Sequence, residues 1–488
     1  MVQMTFHLIR SVFRPKALFV GFVLCWCISP SMSQNMSISE GLSIRNDYGY
    51  EIVGRLRDRI LLFRDKYDDF EIQAYDSQMH PVWNKELEGL DKRGIQIIAV
   101  IGGKNDFSII YKLRRRGYTM LKVHKYDPGA SLIDTMTVKD YGERMFNAPN
   151  LDYIRSDDKN CVAVYNTIEP GKVEVTCFRL DKMQVLWDKL FIFESNFDEA
   201  NGQAMILGNN GEFFLVHEKN NRKNRIDEHQ YEIIYVTATQ DKRVVVKMPD
   251  FLTGDTHFVF DNINHRLVGA GLYAEKNRDR VNGTFFMRVM ANDSLGSTLR
   301  YEPFDDKFIS ILRRKDVEDD NKGITDASIN QLVLRQDGGV LLVAERKHEI
   351  MRGAAAGRGF WRDGMRMVVD YYYDDFFLVA IEPNGQTHWK TVLHKKQYSQ
   401  DDDGTFSSFF TLRSSDALRF LFNDEIKYEN TCSEYVISPL GDFDRNNLLN
   451  TEGQNLRLRF RDALQISTSE CLVPSEFRNK LRLVLLQY

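Results

Sequence analysis

The sequence predicts an all-β chain folded as a single β-propeller of about eight four-stranded blades, with seven as the alternative count. Three features carry that reading. Short runs rich in β-branched and aromatic residues recur at 60–63, 108–111, 161–165, 213–216, 267–273, 340–344 and 418–422. Each is apolar on consecutive positions, as a strand buried on both faces requires. The first five are separated by about 48 to 55 residues, the length of one propeller blade. A second marker keeps step with the first: a polar turn followed by tryptophan. Asp76 leads to Trp83, Asp181 to Trp187, and Glu382 with Asn384-Gly385 to Trp389, while Asp127 and Asp293 hold the same place in blades without the tryptophan. Trp83 and Trp187 lie 104 residues apart, which is two blades of 52.

The third feature is the pair of termini. Three strands are expected at 463–467, 471–474 and 481–488, with no fourth after them, and 41–44 near the N-terminus supplies the missing one. Such a unit has two apolar faces and cannot bury both alone. Radial stacking buries each face against a neighbour, and a blade shared by both ends closes the ring.

Two segments break the period. At 304–326, Phe304, Phe308, Ile311 and Leu312 have the spacing of one face of a short helix, followed by a charged tail at 316–323. At 348–371 an insertion separates two strands of the sixth blade. Glycines and alanines at 353–357 and Gly359 make it flexible, and Phe360, Trp361, Met365 and Met367 alternate with Arg352, Arg358, Arg362 and Arg366. Aromatic, methionine and arginine side chains are enriched at protein interfaces. Arg358, Phe360, Trp361, Arg362 and Met365 are therefore the candidate partner-binding residues. The competing reading is a loop folded back onto its own propeller.

The first residues point to export. Arg10, Arg14 and Lys16 precede an apolar run at 17–28, and Ser31-Met32-Ser33 offers small residues for cleavage before Gln34. The expected organisation is a signal peptide at 1–33 and a propeller at 34–488, secreted, periplasmic or on the cell surface. Leu24 before Cys25 does not suit lipidation, and no later stretch is apolar enough to form a transmembrane segment in the mature chain. Removing 1–33 moves the net charge from -4 to -7, which argues against nucleic acid as a partner. Of the four remaining cysteines, Cys161 and Cys177 could face each other across an expected hairpin turning near 169–171. Two separately buried thiols are preferred to a cross-strand disulfide.

The turn-to-tryptophan pattern at Trp83, Trp187 and Trp389 resembles the quinoprotein-like (PQQ-like repeat) propeller superfamily. That superfamily includes pyrroloquinoline quinone dehydrogenases and an outer-membrane assembly scaffold. The resemblance spans most of the chain as a repeat pattern. The tryptophan is present in three blades and there is no vicinal cysteine pair, so a redox enzyme is not expected and no cofactor is assigned. The 340–410 region also looks like exported propeller proteins of Gram-negative bacteria, which implies fold and compartment.

Catalytic signatures are missing. The segment 399–406 resembles a sialidase-type Asp-box with one extra residue and Phe406 in place of tryptophan. Asp401, Asp402 and Asp403 are consecutive, where calcium loops space their carboxylates to converge; a solvated acidic turn is expected, and no metal. His217-Glu218 and His348-Glu349 lack the second histidine of a zinc protease helix. No Gly-x-Ser-x-Gly elbow or Walker loop is present. The reading is a non-catalytic binding or scaffolding protein of the bacterial envelope, with an envelope or surface protein as partner and polysaccharide as the alternative. The competing class is a hydrolase or lyase acting on extracellular polysaccharide at the central funnel. Titratable groups clustered at the axis would favour that class, and an exposed apolar patch would favour a scaffold.

Overall fold

The computed structural model describes residues 35–143, 148–169, 171–192, 203–222, 228–292, 295–315, 322–353, 367–426, 431–451 and 453–488. Eight antiparallel four-stranded sheets follow one another around a ring. Strands are lettered A to D from the axis outward. Blade 1 is Asp47–Leu56, Arg59–Lys66, Phe70–Tyr75 and Pro81–Glu86. Blade 2 is Ile95–Gly102, Phe107–Arg115, Tyr118–Tyr126 and Leu132–Glu143. Blade 3 is Asp152–Arg155, Cys161–Glu169, Lys172–Arg179 and Gln184–Ile192. Blade 4 is Gln203–Leu207, Phe213–Lys219, Gln230–Val236 and Asp241–Lys247. Blade 5 is Leu252–Asp261, Arg266–Ala274, Gly283–Met290 and Ser297–Pro303. Blade 6 is Ala327–Leu334, Val340–Gly353, Met367–Ile381 and Thr387–Leu393. Blade 7 is Phe410–Arg413, Leu418–Asn423, Thr431–Ile437 and Phe443–Asn450. Blade 8 takes A to C from Leu464–Ser467, Glu470–Phe477 and Lys480–Gln487, and D from Asn35–Ile38 at the other end of the chain.

The apolar runs of the sequence are all B strands. Their side chains alternate between the two faces of the blade, and both faces are covered by neighbours. Leu61 and Phe63 pack toward blade 2, whereas Ile60 and Leu62 pack toward blade 8. Every pair of adjacent blades shares one such apolar cluster, and the pair formed by blades 8 and 1 is no exception. Each buried Leu, Ile or Phe contributes about 1.5–3 kcal/mol, so the ring is held by its inter-blade layers.

The marker turns join strands C and D. At 76–80 and 127–131 the N–H of Met79 and Ala130 donates back to the carbonyl of Asp76 and Asp127, and Met79 and Ala130 have φ of 66° and 61°. This is a type I turn closed by a left-handed residue. The aspartate Oδ1 accepts two further backbone N–H groups at 2.9 Å in each turn, which is why the position favours Asp. Asp293 lies outside the described residues, and in that turn Asn292 Oδ1 accepts from Leu295 N–H at 3.1 Å. The tryptophans stand on D strands and lean on the next blade. Trp187 Nε1 donates to Gly211 O at 3.2 Å, and Trp389 Nε1 to Pro439 O at 3.1 Å.

Closure differs in detail from the sequence expectation. Asn35–Ile38 pairs with 484–487, and only Leu42–Ser43 of the expected 41–44 pairs, with 480–481. Ser39 bridges the two, its N–H donating to Leu483 O and its Oγ accepting from Leu483 N–H, both at 2.9 Å. The closing strand therefore starts earlier and bends once. Helix α1 (Asp306–Arg313) precedes blade 6 and is capped by Asp305, whose side chain accepts from Phe308 N–H. Its buried face is Phe308, Ile309 and Leu312, and Ile311 is exposed. At 100° per residue Ile311 falls well off the arc those three define. Phe304, just before the helix, is buried against Phe308 and Phe377. The insertion in blade 6 lengthens the B–C hairpin: 347–353 pairs with 367–373, and Gln397–Gln400 adds a third strand. Among the described residues no helix is long and apolar enough to cross a membrane.

Candidate functional site at the mouth of the axial channel

The A strands all run the same way along the axis. The face where they begin also carries the lengthened hairpin of blade 6, so the chain concentrates its irregular segments there. A cavity of about 650 Å³ opens on this face between blades 5 and 8. Asp255 and His257 stand two residues apart on strand A of blade 5, hence on one side of it. Glu345 and Lys347 come from strand B of blade 6 and Tyr373 from strand C. Ser408 precedes blade 7, and Arg461 sits in the 3-10 turn Phe460–Asp462 before blade 8.

The floor is a buried charge pair. Glu345 is 0% exposed, and Lys395 Nζ lies 2.5 Å from its Oε1. Lys395 also donates to Gln397 Oε1 at 3.0 Å and to Tyr373 O at 3.1 Å. Glu345 Oε2 accepts from Ser408 Oγ at 2.8 Å and Asn330 Nδ2 at 3.1 Å. Burial pushes the Lys395 ammonium below its ordinary range against the opposing pull of Glu345. Across the cavity Asp255 Oδ2 accepts from Ile329 N–H at 2.7 Å and Ser328 Oγ at 3.1 Å. Burial holds the His257 imidazole below its usual value, Asp255 pulls it up and Lys347 pushes it further down. Burial raises the Tyr373 phenol. The Lys347 ammonium has no ion-pair or hydrogen-bond partner among the described residues, and Arg461 donates to Gly404 O at 3.3 Å and lies against the Tyr373 ring at 6.0 Å. The acids are engaged, and two cations retain free donors.

The acidic turn lies against the lengthened hairpin. Asp401 Oδ1 accepts from Val369 N–H at 2.9 Å, Asp402 Oδ1 from Gly404 N–H at 3.0 Å, and Asp403 Oδ1 from Tyr371 OH at 2.9 Å. Asp401 and Asp403 tie the lengthened hairpin to the turn, and Asp402 bonds within the turn itself. Arg358, Phe360, Trp361, Arg362 and Met365 lie outside the described residues. The strands leading to them carry an aromatic ladder, with His348 stacked on Tyr372 at 4.6 Å and Tyr372 against Tyr398 at 5.2 Å. Glu218, beside His217, accepts from His229 Nε2 at 3.0 Å and Tyr231 OH at 2.8 Å in the wall between blades 4 and 5. All four described cysteines are buried free thiols, and burial pushes the Cys161 thiol up to about 11.

Toward the other end of the A strands lies a cavity of about 820 Å³ lined from blades 3 to 7, including Tyr153, Arg155, Asp157, Phe258, Leu332 and Arg413.

No family model matches the chain, and no curated protein matches it. Solved structures similar to it include β-propellers. The β-propeller domain of the Trilobed protease from Pyrococcus furiosus is 8% identical, with 86% of this chain and 99% of that one covered at a TM-score of 0.35. The Nup133 β-propeller domain of Vanderwaltozyma polyspora is 9% identical, with 80% and 100% covered at a TM-score of 0.37. The polysaccharide lyase Uly1 is 8% identical, with 82% and 93% covered at a TM-score of 0.37.

Proposed function

We propose that this protein is an exported binding propeller of the bacterial envelope that holds an acidic segment of an extracellular polysaccharide at the channel mouth. The supporting observation is the pairing pattern there. Glu345 and Asp255 are occupied as acceptors, whereas Lys347 and Arg461 keep free donors and line the same cavity as Asn330, Gln331, Ser408 and Thr411. Such a surface offers hydrogen bonds to hydroxyls and cations to carboxylates or sulfates. The export signal expected at 1–33 and the tryptophan-bearing turns support the reading of an envelope propeller akin to the quinoprotein-like proteins.

Binding is preferred to hydrolysis because glycoside cleavage needs one carboxyl free to give up a proton. Glu345 is locked to Lys395 and Asp255 to a backbone N–H. A second reading, β-elimination by a lyase, is favoured by one observation: an imidazole whose pKa burial lowers, His257, lines the same cavity as two cations. Calorimetric titration with uronate-containing and neutral oligosaccharides tests both. Binding of the acidic ligand alone, lost in Lys347→Ala/Arg461→Ala, supports the proposal. Equal binding of neutral ligand, or retention in the double variant, removes it. Ultraviolet absorbance of an unsaturated product, abolished in His257→Ala, would convert the reading to a lyase.

A further inference from the structure

The lower channel holds charge that the protein does not neutralise. Arg155 ends strand A of blade 3 and Arg413 ends strand A of blade 7. In a ring of eight these blades are opposite, so the two guanidiniums approach one cavity from facing walls. Neither guanidinium has a hydrogen-bond or ion-pair partner among the described residues. The acids within reach compensate poorly. Asp157 favours the charged form of Arg413, but its Oδ2 already accepts from Asn262 Nδ2 at 3.1 Å. Glu51 faces Arg155, and burial pushes that carboxyl up. Lys159, on the same wall as Arg155, adds a further cation.

Arginine cannot escape by losing its proton. Both side chains are open to the water of the channel, and two like charges on the walls of one cavity raise its potential for an anion. Asp157 is the one carboxylate in the lining of this cavity, beside Ile154, Met205, Phe258 and Leu332. An anion between the two forks would be drawn to that potential.

We propose that the lower channel is a binding site for a small oxyanion, held between Arg155 and Arg413 by charge-assisted hydrogen bonds. The planar forks suit the paired oxygens of a carboxylate, phosphate or sulfate. The site is distinct from the mouth in residues and in ligand size, and it involves no saccharide.

Thermal unfolding of the full chain in inorganic phosphate, in citrate and in sodium chloride of matched ionic strength is the test. The proposal expects Tm to rise with phosphate or citrate beyond chloride, as binding to the folded state requires. Arg155→Gln and Arg413→Gln each weaken the apparent Kd about tenfold or more, and the double variant abolishes the rise. In chloride these variants unfold no earlier than wild type, since each removes an unpaired charge. Arg413→Lys, which keeps the charge and loses the fork, weakens binding less than Arg413→Gln. A larger effect of citrate identifies a carboxylate ligand and of phosphate a phosphoryl ligand, and either order supports the site. A response no greater than chloride, or one that survives in the double variant, overturns it.

Discussion

Lys395 shows what a single residue in this channel costs and secures. Its ammonium is buried with Glu345, and each partner makes the other tolerable. Breaking such a pair from one side leaves an uncompensated charge, at about 3–5 kcal/mol. Glu345→Gln is therefore expected to lower the stability measured by urea unfolding by about that amount. Glu345→Gln/Lys395→Met should recover most of the loss. Little of this was legible in the sequence, because Lys395 stands beside Lys396 with nothing to mark one as buried. The mouth residues were equally hidden. Asp255, His257, Glu345, Lys347, Tyr373 and Arg461 are spread over some two hundred residues of chain, and only the fold brings them together. The one local signal was the spacing of Asp255 and His257 on a strand, which places both on a single side.

At the scale of elements the sequence was far more readable, since each B strand must be apolar on both faces and each C–D turn needs a side-chain acceptor and a left-handed residue. Gly441 illustrates the second requirement. It has a φ of +89°, and a Cβ there would come within 2.5 Å of the Trp389 ring. Gly441→Ala should destabilise by more than about 1 kcal/mol, as a side chain forced to positive φ does, and should perturb Trp389 fluorescence. What could not be read were contacts between elements. Ile311 was placed on the helix face from spacing alone, whereas the groove between blades 5 and 6 selects Ile309. The Glu218–His229–Tyr231 contact is another. Burial pushes the Glu218 carboxyl up, but hydrogen bonds from His229, Tyr231 and Asn221 outweigh it and hold the value below normal. A carboxyl with a depressed folded value adds stability above its unfolded pKa of about 4.3, and that stability is lost as pH falls through the folded value. Glu218→Gln should thus be less stable than wild type at neutral pH, with the gap narrowing on acidification; a gap independent of pH would contradict this.

For the whole molecule the decisive feature is the eighth blade, made from both ends of the described chain. Arg55 of blade 1 donates to Glu470 of blade 8 at 2.5 Å, and Leu472, Leu481, Leu483 and Leu485 pack against Ile60 and Leu62. Removing 35–43 exposes the edge of Lys480–Gln487 and should lower stability by about 3 kcal/mol or more, seen in calorimetry as a fall in Tm of the single main transition. On the proposed function, the ring matters because it brings residues of separate blades around one cavity. The most direct measurement of that claim is a crystal structure of the protein soaked with a uronate-containing oligosaccharide. The proposal predicts the ligand between blades 5 and 8, with an acid group against Lys347 and Arg461. A ligand seated elsewhere on the propeller, or a mouth left empty at saturating concentration, would contradict it.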